Sequence, residues 1–265
     1  MELSILGLCL GLLLLVVPLF IMYRYRLKIL PKALMGITKM IVYLCVTGFF
    51  LKYVFEWNNT FINLLWMILL VVLASFTTII KAKLKLSRFF VPVCSGILVS
   101  AVVVGIFFLL FVTGLKNPFD ARYFIPVVSL LIGNMMEVNY KALSVYYMGL
   151  KYHNQLYYYL LGNGATHSEA VAYFVRRALE KVSIQNIANM SVIVVGLSPL
   201  VMWSMLLSGA SVLAAVEYQI LIMIATFCVS MISVVITLWV ARHYSFDEYG
   251  QIKDAVQHID VNQSL

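Results

Sequence analysis

The chain has 265 residues, of which 63% are apolar and 11% charged, whereas a soluble domain is nearer 25% charged. That composition excludes a soluble globule, which cannot bury so much apolar side chain, and a disordered chain, which is poor in it. The formal charge of +8 would suggest nucleic acid in a soluble protein, but the basic residues sit in short clusters between apolar runs, as membrane topology requires, so no nucleic-acid partner is expected.

Seven apolar runs follow in chain order, each long enough to cross about 30 Å of hydrocarbon. Leu3 to Met22 is uncharged and is followed by Arg24, Arg26 and Lys28. With no positive segment ahead of it, the run reads as a first membrane helix entering from outside, not as a cleavable leader. Gly7 and Gly11 within it have the spacing of a helix-packing motif. The second run, 34–54, carries Lys39 and Lys52 near its ends, where long side chains reach the headgroups. Runs 57–80 and 89–115 come next, then 124–150, which is interrupted by Glu137 and Lys141. A polar segment over 152–182 separates it from 184–207 and 218–241, and residues 242–265 form a polar tail with Asp247, Glu248, Asp254 and Asp260.

Orientation follows from Lys and Arg. Seven spans with the N-terminus outside leave only Lys52, Lys116 and Arg122 on the outer side and every basic cluster inside. The expected architecture is therefore all-α: a polytopic protein of the cell (plasma or inner) membrane with seven transmembrane helices, N-out and C-in. One transmembrane domain covers 1–241, and the tail is cytoplasmic.

Catalytic chemistry is absent from the pattern. There is no GxxxxGK[ST] phosphate loop and no HExxH. Cys9, Cys45, Cys94 and Cys228 lie singly inside apolar runs, as small buried hydrophobes do, and His153, His167, His243 and His258 fall in the polar segment or tail. No catalytic residue and no cofactor are expected on this chain.

The fifth run carries the most information. A charge in mid-bilayer costs at least about 2.5–3.5 kcal/mol, so it faces protein or water. Asn134, Glu137 and Lys141 share one helix face, and Glu137 and Lys141 form an i,i+4 pair in the favourable order. Met135, Met136 and Asn139 flank them. This is either a polar strip lining a substrate path, with Glu137 the candidate cation ligand, or an ion pair that makes the span insertable. In the 152–182 segment, Thr166 and Glu169 have capping-box spacing, and Ala170, Val171, Phe174, Ala178 and Val182 form an apolar stripe opposite Arg176, Arg177, Glu180 and Lys181. Periodicity alone leaves two readings open, a helix that docks into a soluble partner and a helix lying on the membrane surface.

Several stretches together carry a family resemblance. Arg122-Tyr123-Phe124-Ile125-Pro126 followed by Leu131-Ile132-Gly133-Asn134-Met135-Met136 resembles the start of the fifth span of FetB-type (YbbM-type) permeases. Leu161-Gly162-Asn163-Gly164-Ala165-Thr166 with Ala170 resembles that family's cytoplasmic coupling element, and Phe50 to Phe55 and Tyr218 to Leu221 match too. The family belongs to ABC transporters linked to bacterial iron export, with a plant relative in aluminium tolerance. The resemblance implies a permease subunit, a homodimer in the lipid bilayer, driven by two copies of a separate ABC-type ATPase that holds ATP and Mg. It assigns coupling to Gly164, Ala165, Thr166 and Ala170; the capping argument adds Glu169, and Phe174 and Arg177 complete the set. The family's Pro-Gly-Met-Met-Thr-Gly element in the sixth span reads Pro199-Leu200-Val201-Met202-Trp203-Ser204 here, so Pro199 and Met202 are the positions carried over to the path. Two rival functions remain at this point: an ATP-independent ion channel or carrier using Glu137, and a non-transporting regulatory membrane subunit.

Overall fold

The computed structural model describes residues 13–27, 29–193, 199–247 and 251. The first part of the predicted 3–22 span, with Cys9 and the Gly7 and Gly11 pair, lies outside the described residues, as do Lys28, residues 194–198 and most of the tail, including Glu248, Asp254, Asp260 and His258. The described chain is helical throughout and divides into two compact units, Met1–Trp57 and Asn58–Leu265.

In the first unit, α1 (Val16–Arg24) and α2 (Leu30–Trp57) are joined by a short turn in which Arg26 takes a φ of 50°. Pro31 occupies the second position of α2, where its missing N–H breaks no helical bond. Lys52 and Glu56 form an exposed pair at 4.0 Å near its end.

The second unit contains α3 (Thr60–Lys81), α4 (Leu86–Phe107, closing in a π turn over Phe108–Val112), α5 (Ala121–Tyr152), α6 (Asn154–Gly162), α7 (His167–Ser191), α8 (Leu200–Leu207) and α9 (Val212–Ser245). The starts are set by side-chain caps, which satisfy N–H groups that have no intrahelical acceptor. Asn59 accepts from Phe61 N (2.9 Å), Asp120 from Arg122 N (3.0 Å) and Ser211 from Ala214 N (3.4 Å). Pro126 lies within the first two turns of α5.

Contacts at both ends give the helix directions. Asn63 Nδ2 donates to the Phe119 carbonyl just before α5 (2.8 Å), and Thr78 Oγ1 to the Met136 carbonyl (3.3 Å), so α3 and α5 run the same way. Asn139 meets Ser233 and Tyr147 meets Ser245, so α9 runs with them. Phe89 stacks on Tyr147 and Phe108 on Tyr218, so α4 runs opposite. Since α5 and α9 are parallel, the chain between Tyr152 and Val212 must return to the end where α5 began. Three contacts mark that return. Arg242 meets Ser168, Ser183 meets Met231, and the Met202 N–H meets Gln219. The sequence α7 then α8 therefore lies antiparallel to α9.

Among the described residues, five helices are long and apolar enough to cross a membrane: Leu30–Trp57, Thr60–Lys81, Leu86–Val112, Ala121–Tyr152 and Val212–Ser245. They correspond to the second, third, fourth, fifth and seventh predicted spans, each shifted or extended by a few residues. The sixth differs. Residues 184–207 are not one helix; α7 ends at Ser191 and α8 starts at Leu200 behind Pro199. The expected boundary near 182 is also absent, because α7 runs unbroken from His167 to Ser191. The buried series Phe174, Ala178, Val182, Asn186 keeps four-residue spacing across that point, and no Gly or Pro intervenes.

Candidate functional site

The strip predicted on α5 splits in two. Asn134 Nδ2 donates to Ser230 Oγ (2.6 Å) and to the Thr226 carbonyl (3.2 Å), and Asn139 Nδ2 donates to Ser233 Oγ (2.7 Å) and to the Met135 carbonyl (2.9 Å). Both amides therefore reach α9, and Met135 is buried between them. Met136 is half-buried and offers its carbonyl to α3. Glu137 and Lys141 pair at 2.6 Å, with side chains 52% and 24% exposed, and Gln185 of α7 lies 3.5 Å from the same carboxylate oxygen. The pair is not halfway across. Thr78, level with Met136, is three residues from the end of α3, and Lys81 at that end lies 5.6 Å from the Tyr140 ring. Glu137 thus sits within about one turn of the level where α3 stops, where Lys81 and Lys141 gather.

Pro199 and Met202 lie elsewhere. Pro199 is buried at the start of α8, and the Met202 N–H is held by Gln219 Oε1 at 3.1 Å. Gln219 precedes Ser233 on α9 by fourteen residues, about 21 Å of helix. The structure does not gather these two with the α5 strip.

Facing the α5 amides is a set of residues not singled out by the sequence. Thr226, Ser230, Ser233 and Thr237 form one column along α9, and Ser230, Ser233 and Thr237 are fully buried. Opposite them α4 presents Gly96 and Ser100. A Cβ on Gly96 would overlap Thr237 Oγ1 and lie 3.0 Å from the Ser233 carbonyl oxygen, so only glycine lets α4 and α9 approach this closely. Ser100 Oγ, Asn139 Oδ1 and Thr237 Oγ1 have no hydrogen-bond partner among the described residues. The available signal was the 4-3-4 spacing of small hydroxyl residues within an otherwise apolar run.

The predicted coupling residues surround a built corner. Gly164 has a φ of +87°, a conformation that a Cβ strains, and it leads out of α6 through its N–H on the Leu161 carbonyl (3.0 Å). Ala165 is half-buried. Thr166 and Glu169 form the expected capping box: Thr166 N donates to Glu169 Oε2 at 2.8 Å, and Glu169 N donates to Thr166 Oγ1 at 3.3 Å. The Thr166 backbone and hydroxyl donors hold the Glu169 carboxyl below its usual pKa. Ala170 and Phe174 are buried, and Phe174 packs on Gly149 of α5. Arg177 is exposed, 5.3 Å from the Tyr173 ring. In this conformation Gly164, Thr166, Glu169 and Arg177 are on the surface, while Ala170 and Phe174 fix α7 to the bundle.

Five further residues tie this corner to the end of α9. Tyr157 OH and His167 Nδ1 are 2.9 Å apart, Phe246 stacks on His167 with centroids 4.4 Å apart, and Arg242 Nη2 donates to Ser168 Oγ (2.9 Å). Burial and the Arg242 guanidinium lower the His167 pKa, and burial pushes the Tyr157 phenol up to about 12. Among the described residues no group of three or more His, Cys, Asp or Glu gathers to hold a metal.

Comparison with known proteins agrees with an all-helical membrane chain. Residues 5–246 match the model of the uncharacterised protein family UPF0014. The chain is 28% identical over 205 residues to "Protein ALUMINUM SENSITIVE 3" of Arabidopsis thaliana, covering 76% of this chain and 72% of that one. It is 26% identical to "UPF0014 membrane protein STAR2" of Oryza sativa subsp. japonica (88% and 81% covered). It is 22% identical to "Probable iron export permease protein FetB" of Escherichia coli (93% of each chain). No solved structure matches.

Proposed function

The chain belongs to the UPF0014 family and is a multi-pass membrane protein, and from that premise we propose that it is the membrane-spanning permease subunit of an ABC transporter, exporting a small cation or other small solute. The name of the Escherichia coli relative supports both the permease role and a metal cation as one substrate class to test. In this reading the protein crosses the membrane seven times, N-out and C-in. The parallel run of α5 and α9 supports a crossing between them, built from the upper part of α7 and from α8. Lys81, Lys141, Lys151, Arg176, Lys181 and Arg242 then lie at or beyond the inner rim.

One observation carries the coupling proposal: α7 is a single helix from the capped corner at Thr166 to Ser191, bonded to α9 at its start through Ser168 and again two-thirds of the way along through Ser183. A helix is stiff along its axis. A push at the corner from an ATPase that closes on ATP is therefore delivered without a joint to the level of Glu137 and Ser233. The surface residues Gly164, Thr166, Glu169 and Arg177 would meet the ATPase, two copies serving a homodimer of this chain. The path runs beside α5, past Asn134, Asn139 and the α9 hydroxyls, with Glu137 and Lys141 at its inner mouth. Hydrolysis stays on the partner, so this chain needs no catalytic group.

The test is purification of the tagged chain from its native membrane. An ABC-type ATPase should accompany it, and reconstituted transport should require ATP. Passive ion flux through the chain alone in liposomes would overturn the reading in favour of a carrier.

A further inference from the structure

We propose that the seam between α4, α5 and α9 binds a monovalent alkali cation, largely stripped of water and held by the neutral oxygens of Ser100, Asn139 and Thr237. Its role as a station on the transport path rests on the permease reading; the binding itself does not. Asn139, Ser100 and Thr237 are all 0% exposed, and Asn139 Oδ1, Ser100 Oγ and Thr237 Oγ1 have no partner among the described residues. They lie on the three helices that meet along this seam. Asn139 Nδ2 donates to Ser233, while the Ser233 carbonyl and the Thr237 hydroxyl are the groups nearest a Cβ built on Gly96. Ser100 follows Gly96 by one turn on the same face of α4.

The packing of the three helices seals these oxygens from solvent, and a buried unpaired oxygen is costly, so the three point to a ligand that supplies positive charge. Hydroxyl and amide oxygens are hard donors, which suit alkali and alkaline-earth ions over soft metals. The patch holds no carboxylate, thiolate or imidazole. The Glu137 carboxylate is bonded to Lys141 and Gln185 instead. Neutral oxygens can replace the hydration shell of a singly charged ion, as rings of carbonyls do in ion channels, whereas a small divalent ion gives up its water reluctantly.

The experiment uses the full chain in detergent. Thermal unfolding is followed in NaCl, KCl and RbCl against choline chloride at equal ionic strength, alongside equilibrium binding of radioactive sodium. One alkali cation should raise Tm saturably by at least about 2 °C. Ser100→Ala removes only an oxygen without a partner and should keep the choline-chloride Tm; Thr237→Ala, which also gives up a methyl, is read against its own choline-chloride Tm, and both should need at least about tenfold more cation for the same rise. Asn139→Asp should shift preference towards magnesium or calcium. The proposal is overturned by a wild-type Tm indifferent to every cation, by an unchanged response in both oxygen-deletion variants, or by an equal Tm loss in both with choline alone, the mark of a structural water. Recovery of the ATPase with the chain is a separate result and reports on the permease reading alone.

Discussion

Gly96→Ala tests whether the α4–α9 approach organises the second unit. The added methyl would overlap Thr237 Oγ1, lie 3.0 Å from the Ser233 carbonyl oxygen and 3.1 Å from Thr237 Cβ. A hydroxyl can rotate, but a backbone carbonyl in a paired helix cannot retreat without moving α9. Overpacking of this kind costs about 1–3 kcal/mol. The better helix propensity of alanine returns about 1 kcal/mol, so the expected net loss is up to about 2 kcal/mol. Thr237→Ala in the same chain removes the worst overlap and should recover at least half of it. Gly133→Ala is the control: Gly133 lies on the same α5 as the amides, has nothing within 4 Å of a built Cβ, and should be neutral or stabilising. Denaturant unfolding in mixed micelles would measure all five proteins, a double-mutant cycle of four and one control. If Gly96→Ala is as stable as wild type, or if Thr237→Ala adds its own loss instead of relieving the first, the close approach is not what holds α4 to α9.

Three other outcomes follow from the same geometry. Gly164→Trp places a side chain at a φ of +87°, which strains the corner by about 1–3 kcal/mol; insertion should persist while ATP hydrolysis and transport lose their ratio, read in proteoliposomes with the partner ATPase. Glu137→Gln should leave unfolding within about 1 kcal/mol, because the pair it breaks is partly exposed, yet reduce flux; wild-type flux would confine Glu137 to helping the span insert. The tie between His167 and the end of α9 should weaken in acid. Packing lowers the His167 pKa, so the packed corner favours the neutral ring. That preference is satisfied above the free value near 6.5 and opposes packing as pH falls through it. The distance between spin labels at positions 163 and 244 should spread more widely at pH 5.5 than at 7.5, and His167→Gln should flatten the difference.

Local pattern made much of this chain readable. Five spans, the capping box at Thr166 and Glu169, and the inward stripe from Ala170 to Val182 all depend on residues within a turn or two of each other. The sixth span was harder. Its polar start and apolar end suggested a boundary near 182, but a helix stops at a breaker or a cap, not at a change in polarity, and α7 runs on to Ser191.

By itself, then, the sequence determined the solvent, the helical class and the position of five long rods, because hydropathy and capping are properties of neighbouring residues. Only the tertiary structure decided which faces meet. Asn139 finds Ser233 across a separation of 94 residues and Asn134 finds Ser230 across 96, and no local periodicity encodes such a register. The same packing left Glu137 half in the open beside Lys141 and buried the unremarked hydroxyls of α9, because a helix has one closest face and glycine at position 96 fixed which face α9 would use.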